Sequence, residues 1–310
     1  IEKRFPRARR IHCGSYTEVF NPKAQHFRLQ KQNPALILDR KHQGLVLPAP
    51  AGYAVGGKRN YYFSHMLNCP YDCRYCFLQG MYRSAHYVLF VNYEAFQREM
   101  AATVDQARGE TTWFFSGYDC DSLAFEPVTG FCASFLPFFR EHPNAWLELR
   151  TKSTQVRALL SREVVDNVVI AFSLNPDQIA RAVEHHAPSV RKRLAAMGQL
   201  QEQGWRVGLR FDPLIYQTGY RARYAQLFEQ VFRSVDPARL HSVSLGPFRL
   251  PRGFFRTIKR LYPDEPLFSS PMEERDGLLC YRADLEREMI DFCTARLLRH
   301  IPARIFHPCT

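Results

Sequence analysis

Three cysteines stand close together in the sequence Cys69-Pro-Tyr-Asp-Cys73-Arg-Tyr-Cys76. Thiolates are soft ligands, and three of them on one short loop can converge on a soft metal or an iron–sulfur cluster. A structural zinc site needs four ligands, but no fourth cysteine or histidine lies at a suitable spacing; His65 is close but falls on a predicted strand. The spacing therefore favours an iron–sulfur cluster with one open iron over a closed zinc site.

The number of cysteines and the first residues of the sequence bear on the cellular compartment of the protein. Nine cysteines are an odd number for a disulfide framework, and the three clustered ones are too close together to pair with each other. The sequence begins Ile1-Glu-Lys-Arg, without the apolar segment of a signal peptide. No apolar run approaches the roughly 18 residues of a membrane span. We therefore expect a cytoplasmic protein without a membrane partner.

The elements that must position the cysteines alternate between two patterns. The chain has 310 residues, of which 46% are hydrophobic and 14% aromatic, so it can bury a large core. Near-continuous apolar runs predict six strands covered on both faces, at residues 61–67, 111–116, 146–151, 168–174, 205–211 and 242–246. Amphipathic segments between them predict helices at 93–108, 122–141, 189–203, 221–235 and 253–262. This alternation predicts an α/β fold, either a partial (β/α)6 TIM-like barrel or an open sheet, with function at the carboxyl ends of the strands.

The remainder of the chain flanks this predicted barrel. We divide the sequence into a basic N-terminal segment (1–59), the barrel (60–250) and a C-terminal region (251–310). A small hairpin is predicted around residues 277–281, and an amphipathic helix at 284–300.

The cysteine spacing, placed directly after the first strand of such a barrel, resembles the radical S-adenosylmethionine (SAM) superfamily. A closer resemblance begins near residue 45. The segment Arg74-Tyr75-Cys76-Phe77-Leu78-Gln79 looks like the cluster segment of the spore photoproduct lyase family. This resemblance implies a radical SAM lyase with a [4Fe–4S] cluster on the three cysteines, in which SAM is cleaved to a 5′-deoxyadenosyl radical.

The same resemblance implies a set of SAM contacts. Lys152 and Ser173 fall where the family has a lysine and a serine contacting the SAM carboxylate, and Asn175 lies where it could reach the ribose. Ser116 ends the second strand, where the backbone would approach the methionyl amine. A Gly-Gly-Glu motif, frequent at this point in the superfamily, is absent here.

The residues that would relay a hydrogen atom depart from the family pattern. The family has a tyrosine after its third cluster cysteine, whereas this chain has Phe77, which we group with the cofactor-binding residues; Tyr75 precedes that cysteine. The family's hydrogen-donor cysteine aligns with Tyr118, and Cys120 follows two residues later. Tyr75, Tyr118 and Cys120 are therefore the candidate catalytic residues.

The positive charge is concentrated in the N-terminal segment. The whole chain has a formal net charge of +12, of which residues 1–59 contribute 12 − 3 = +9. Clustered cations can neutralise phosphates, so Arg7, Arg9 and Arg10 are candidate nucleic-acid contacts, although a solvated face would have the same composition. In the C-terminal stretch 272–282, which has three acids and two arginines, Tyr281 and Arg282 are further candidates.

Three functions remain open on this basis. The first is a radical SAM enzyme that acts on nucleic acid as a DNA photoproduct (thymine dimer) lyase-like repair enzyme. The second is a radical SAM enzyme with another substrate, such as RNA, a peptide or a small molecule. The third is a nucleic-acid-binding protein with a structural metal. The superfamily resemblance also implies a flavodoxin or ferredoxin as electron donor, and the size of the chain suits a monomer.

Overall fold

The computed structural model describes residues 1, 3–20, 22–50 and 55–309. Residues 2, 21 and 51–54 of the predicted N-terminal segment lie outside the described residues. The strands, in chain order, are β1 (Leu36–Asp39), β2 (Leu47–Pro48), β3 (Arg59–Tyr62), β4 (Met66–Leu67), β5 (Asp72–Cys73), β6 (Tyr87–Phe90), β7 (Thr112–Ser116), β8 (Ala145–Thr151), β9 (Val168–Ser173), β10 (Glu184–His185), β11 (Arg206–Leu214), β12 (Leu240–Pro247), β13 (Arg249–Pro251), β14 (Met272–Arg275), β15 (Leu278–Tyr281) and β16 (Phe306–Pro308).

The α-helices of the described residues follow the same order along the chain. They are α1 (Thr17–Phe20), α2 (Phe27–Gln32), α3 (Leu78–Met81), α4 (Tyr93–Gln106), α5 (Glu126–Thr129), α6 (Phe131–Glu141), α7 (Arg157–Leu160), α8 (Asp177–Val183), α9 (Val190–Gln203), α10 (Tyr220–Ser234), α11 (Arg252–Leu261) and α12 (Ala283–Leu297). Among the residues that the structure describes, no helix combines the length and the apolar character needed to cross a membrane.

An eight-stranded sheet forms the centre of the molecule. Its strand order is β16-β12-β11-β9-β8-β7-β3-β2, and every neighbouring pair is parallel except β2 with β3. Six of these strands, β3, β7, β8, β9, β11 and β12, correspond to the six predicted strands. The sheet is curled into a half-barrel, which confirms the partial barrel rather than a flat open sheet. The C-terminal β16 adds a seventh parallel strand that the apolar pattern did not reveal.

The sheet is buried because helices cover its outer face. All six residues of β9 are buried, as expected for a parallel strand covered on both sides. Helix α9 ends at Gly204, whose φ of 104° is the left-handed conformation that glycine tolerates at a helix end. The largest hydrophobic cluster joins the sheet to helices α4, α6, α9, α10 and α12.

Two three-stranded sheets flank the half-barrel, and β5 and β10 form a further two-stranded sheet. In the first, β1 pairs with β6 and β6 with β4, so residues 36–39 of the N-terminal segment are hydrogen-bonded to the barrel region. In the second, β13, β15 and β14 form an antiparallel sheet. The predicted hairpin is its β14–β15 pair, and Asp276 and Gly277 turn the chain with φ values of 50° and 76°.

Candidate active site

A cavity of about 500 Å³ opens at the carboxyl ends of the parallel strands. This is the edge of an α/β barrel where functional residues are expected. The cysteine loop lines one side of the cavity, and the ends of β7, β8, β9, β11 and β12 line another. The small β13–β15–β14 sheet contributes Arg249, Leu250 and Leu278.

The cysteine loop is fixed to the rest of the protein at two points along its length. Before Cys69, the Asn68 side chain donates hydrogen bonds to the backbone oxygens of Ser84 and His86, at 2.8 and 2.7 Å. Cys73 lies on β5, which pairs with β10 so that Cys73 faces Glu184. All three cysteines of the loop line the cavity.

The donor set fits an iron–sulfur cluster better than a single metal ion. Among the described residues, no group of three His, Cys, Asp or Glu side chains converges closely enough to hold one ion. A cluster spreads its irons over several ångströms, so its cysteine ligands need not meet at one point. His65 is buried against Phe131, and burial lowers its pKa to about 3; it does not line the cavity. The three thiols therefore suit a cluster as soft ligands, and among the described residues no neighbouring histidine is placed to complete a zinc site.

A buried hydrogen-bond network lies behind the cysteine loop. Tyr75 donates to the Glu184 carboxylate at 2.5 Å, and Arg193 pairs with the other oxygen of the same carboxylate at 2.5 Å. Arg193 also donates to the backbone oxygen of Ser173 at 3.0 Å. The network thus joins the loop to the end of β9. Sequence reasoning missed Glu184 and Arg193, because no spacing links them to the cysteines.

Lys152 and Ser173 both line the cavity, although they lie far from the cysteine loop in the sequence. Asp121 holds the backbone near Lys152: it accepts hydrogen bonds from the Thr151 hydroxyl and the Lys152 backbone N–H, both at 2.6 Å. Burial alone would lower the pKa of Lys152, but the nearby Cys73 and Glu184 outweigh it and raise that pKa. Lys152 is therefore a charged group available to an anion in the cavity.

A second buried network supports the cavity floor. The Glu148 carboxylate, on β8, receives hydrogen bonds from Arg210 at 2.6 and 3.2 Å and from Arg150 at 2.9 Å. Arg150 and Asp212 line the cavity, with Arg150 Nη1 3.9 Å from Asp212 Oδ2. Arg210 itself is fully buried and directed toward Glu148, and it does not line the cavity.

Comparison with known proteins identifies the family. The family model for spore photoproduct lyase matches residues 59–276, well over half of the chain. The chain belongs to the spore photoproduct lyase family. This is a family of radical SAM lyases, so the chain is an enzyme of that class.

Individual relatives agree with this assignment. The spore photoproduct lyase of Geobacillus sp. (strain Y412MC61) is 22% identical over 245 residues, which are 76% of this chain and 72% of that protein. The enzyme of Bacillus subtilis (strain 168) is 23% identical over 202 residues, 64% of this chain and 59% of that protein. A solved spore photoproduct lyase variant with bound AdoMet and dinucleoside spore photoproduct has the same fold, with a TM-score of 0.83 and 18% identity over 96% of this chain and 89% of that one.

Membership of the spore photoproduct lyase family implies SAM and an iron–sulfur cluster, but two residues predicted to contact SAM are turned away from the cavity. Asn175 is only 2% exposed, and it hydrogen-bonds Glu184 at 3.1 Å and Tyr224 at 3.1 Å. Ser116 is fully buried and shares a hydrogen bond with Ser122 at 2.8 Å. Neither residue lines the cavity, so as placed both support it from behind. The Ser116 hydroxyl and the Asn175 amide are instead hydrogen-bonded to other side chains of the protein.

The candidate catalytic residues all line the cavity. The Tyr118 ring lies 5.5 Å from the Phe77 ring, so these two aromatic groups are neighbours at the position where the lyase family has its relay. Cys120 is 5% exposed, and burial raises its pKa well above the usual value. Tyr75 contributes to the lining while its hydroxyl is bound to Glu184.

A further thiol, Cys309, also lines the cavity, although its spacing in the sequence does not connect it with the cysteine loop. It follows β16, and Gly246 makes room for it: a Cβ on Gly246 would lie 2.7 Å from the Cys309 Cβ. Its Sγ is 3.4 Å from the Asp212 carboxylate. The parallel pairing of β16 with β12 brings this end of the chain back to the cavity.

The predicted nucleic-acid contacts are divided. Arg7, Arg9 and Arg10 are exposed, but none of them lines the cavity. Tyr281 is fully buried, and its hydroxyl accepts a hydrogen bond from the Tyr216 backbone at 2.9 Å, so its predicted contact with nucleic acid is wrong. Arg282 is exposed and paired with Asp284 at 2.6 Å.

Proposed function

We propose that this enzyme binds a [4Fe–4S] cluster on Cys69, Cys73 and Cys76 and SAM beside it, and acts on a thymine-dimer photoproduct in DNA. The observation that carries the proposal is a single cavity in which the three cysteines meet Lys152 and Ser173. A polar group from each of two neighbouring strand ends thus faces the soft ligand set, which suits a small cofactor with a carboxylate.

The chain's own residues would bind and orient the cofactor. A cluster held by these three cysteines would provide the one-electron reduction of SAM, in which a C–S bond is cleaved to give a 5′-deoxyadenosyl radical. Lys152 offers a compact positive charge to the SAM carboxylate, and the Ser173 hydroxyl offers a hydrogen bond. The buried Glu184 network keeps the cysteine loop and the end of β9 in one arrangement, so the ligand set and the SAM contacts are held together. Phe77 and Tyr118 provide an apolar wall that keeps water from the reacting atoms.

We assign Cys120 as the group that returns a hydrogen atom to the product radical. A hydrogen-atom donor must carry its proton, and burial raises the pKa of the Cys120 thiol, which keeps it as S–H at neutral pH. Tyr118 is the second candidate, since it occupies the aligned position and burial raises its pKa as well. Phe77 has no hydroxyl, so it can shape the cavity but cannot relay a hydrogen atom.

The remaining partners are part of the same proposal. The DNA strand is held by basic residues outside the cavity, including Arg7, Arg9 and Arg10 of segment 1–59, with Arg282 a further contact in the C-terminal region 251–310. A flavodoxin or ferredoxin supplies the electron to the barrel (60–250). We further propose that the enzyme acts as a cytoplasmic monomer.

Anaerobic reconstitution tests the radical chemistry. The protein with iron and sulfide, reductant and SAM should form 5′-deoxyadenosine and an oxygen-sensitive cluster chromophore, and Cys69→Ala should abolish both. Cys13→Ala, which removes an exposed thiol, is the matched control and should form both. A colourless protein, or one that forms the chromophore without cleaving SAM, would contradict the proposal. Cleavage stimulated by RNA or a peptide but not by irradiated DNA would assign another substrate.

A further inference from the structure

Helix α11 presents a cluster of positive charges to solvent beside the cavity. Arg256, Lys259 and Arg260 are exposed, and their spacing of i, i+3 and i+4 places them on one helical face. The sequence predicts a helix at 253–262, in the C-terminal region, without a function for it. We call these three residues the α11 basic face.

The α11 basic face has no acidic partner among the residues that the structure describes. Within the part of the chain that the structure describes, none of its three side chains makes a hydrogen bond or an ion pair. Arg252, in the first turn of the same helix, is different because it pairs with Glu274 at 3.0 Å. Like charges at i and i+4 destabilise a helix, so Arg256 and Arg260 are unfavourable for α11 in isolation. An external anion would relieve that repulsion.

The helix is packed directly against the cysteine loop. The Phe254 ring stacks on the Phe77 ring at 6.3 Å, and Phe77 lines the cavity. Gly80 of α3 allows the close approach, since a Cβ there would lie 2.8 Å from the Phe254 backbone oxygen. Ile258, on the inner face of α11, is fully buried. The α11 basic face therefore has a fixed position relative to the site where the lesion would react.

A neighbouring cation extends the charge beyond the helix. Arg28 of α2 is exposed, and its guanidinium carbon lies 5.5 Å from the centre of the Tyr262 ring, directly after α11. Along the helix, Arg256 to Arg260 spans about 6 Å at a rise of about 1.5 Å per residue. Measured along the axis of B-form DNA, the phosphates of each strand recur about every 3.4 Å, so this face matches two or three adjacent phosphates.

We propose that the α11 basic face, extended by Arg28, binds the phosphate backbone of the DNA strand that carries the lesion. This inference rests on the proposed function for its choice of DNA. It deepens that proposal because it places the grip beside the cavity, at α11, in addition to the N-terminal segment. A strand held there passes next to Phe77, so a base turned out of the strand is close to the cavity mouth.

The test measures DNA binding without catalysis. A triple variant, Arg256→Gln, Lys259→Gln and Arg260→Gln, is compared with the wild type by fluorescence anisotropy on a labelled, unmodified single-stranded DNA at several salt concentrations. We expect at least a tenfold weaker affinity at low salt. The slope of log affinity against log salt should fall by about 2, since each phosphate contact with a single strand contributes about 0.7.

The control removes the same charge elsewhere. Arg98→Gln, Arg191→Gln and Lys192→Gln replace three exposed cations on α4 and α9 that do not line the cavity and form no ion pair among the described residues. This variant should keep the wild-type salt slope. Equal slopes for the two variants would overturn the proposal, because the effect would then follow net charge rather than position. Circular dichroism melting identifies any variant that fails to fold, and the single variant Arg256→Gln, with an expected loss of about 0.7 in slope, then replaces it.

Two further arms separate this proposal from the proposed function. Unmodified DNA needs neither cluster nor SAM, so a chain that fails to repair lesions can still show the α11 effect. Conversely, if the α11 variant of an enzyme that repairs lesions binds DNA normally, only the proposal for the α11 basic face is overturned. Loss of binding to vesicles of acidic phospholipid, with DNA binding intact, would assign the face to a membrane and contradict the proposal.

Discussion

At the scale of single residues, the cavity contains more thiols than the cluster needs. Three cysteines are assigned to the cluster, and Cys120 and Cys309 line the same space from β7 and β16. The first is close in sequence to the position of the family's hydrogen donor, whereas the second arrives from the end of the chain. Only variants can separate their roles, because both thiols are protonated at neutral pH: burial raises both pKa values, that of Cys309 to about 12.

We predict that Cys120→Ala leaves SAM cleavage intact but changes the fate of the product radical. Without the donor, the radical must take a hydrogen atom or another group from elsewhere, so side products should replace most of the repaired dinucleotide. Chromatography with mass spectrometry measures the product distribution. Cys13→Ala is the control and should give the wild-type products. If Cys309→Ala, rather than Cys120→Ala, diverts the product, the donor has been assigned to the wrong thiol.

At the scale of elements, the apolar runs predicted the parallel strands because burial on both faces demands continuous apolar sequence. The strands that escaped prediction are short or polar, such as β5 and β10, where Cys73 faces Glu184 across only two residue pairs. They are held by tertiary contacts rather than by their own pattern. The same holds for Asn175. Its position at a strand end was predictable from the sequence, but its hydrogen bonds to Glu184 and Tyr224 depend on the tertiary fold.

The strand β8 depends on the buried pair between Glu148 and Arg210. Burial alone would raise the pKa of Glu148, but Arg210 and Arg150 outweigh it and lower that pKa to about 2. Because the folded-state pKa is below the unfolded value of about 4.5, the stabilisation is complete above pH 4.5 and is lost as the pH falls toward 2.

We predict that Glu148→Gln destabilises the protein by about 3–5 kcal/mol at pH 7, because it leaves Arg210 buried without a compensating charge. Chemical denaturation at pH 7 and at decreasing pH measures this difference, which should shrink below pH 4.5. Glu163→Gln, at an exposed ion pair with Arg140, is the matched control and should have little effect. Equal and small effects for the two variants would mean that the buried network does not stabilise β8.

At the scale of the whole molecule, most of the net positive charge and most of the cavity lining come from different parts of the chain. The cysteine loop and the family relationship were readable from sequence, because a short motif keeps its meaning without the fold. The α11 basic face was not, since its position beside Phe77 depends on how the C-terminal region packs against α3. The N-terminal segment holds most of the net charge, and Arg4 anchors it by donating to the Pro127 backbone oxygen at 2.7 Å.

We predict that replacing Arg7, Arg9 and Arg10 with Glu weakens DNA binding and flattens its salt dependence, because phosphate contacts release counterions. Anisotropy titrations at several salt concentrations measure the slope. An unchanged slope would show that these three arginines are a solvated face and do not contact the strand.

We propose that the cysteine-lined cavity reverses a thymine photoproduct with a radical generated from SAM. The most direct measurement is anaerobic incubation of the reconstituted enzyme with SAM, reductant and dinucleoside spore photoproduct, followed by quantification of the products. We expect the two-thymine dinucleoside to appear with the wild type and to be absent with Cys76→Ala. Formation of 5′-deoxyadenosine with the photoproduct left unchanged would contradict the repair claim.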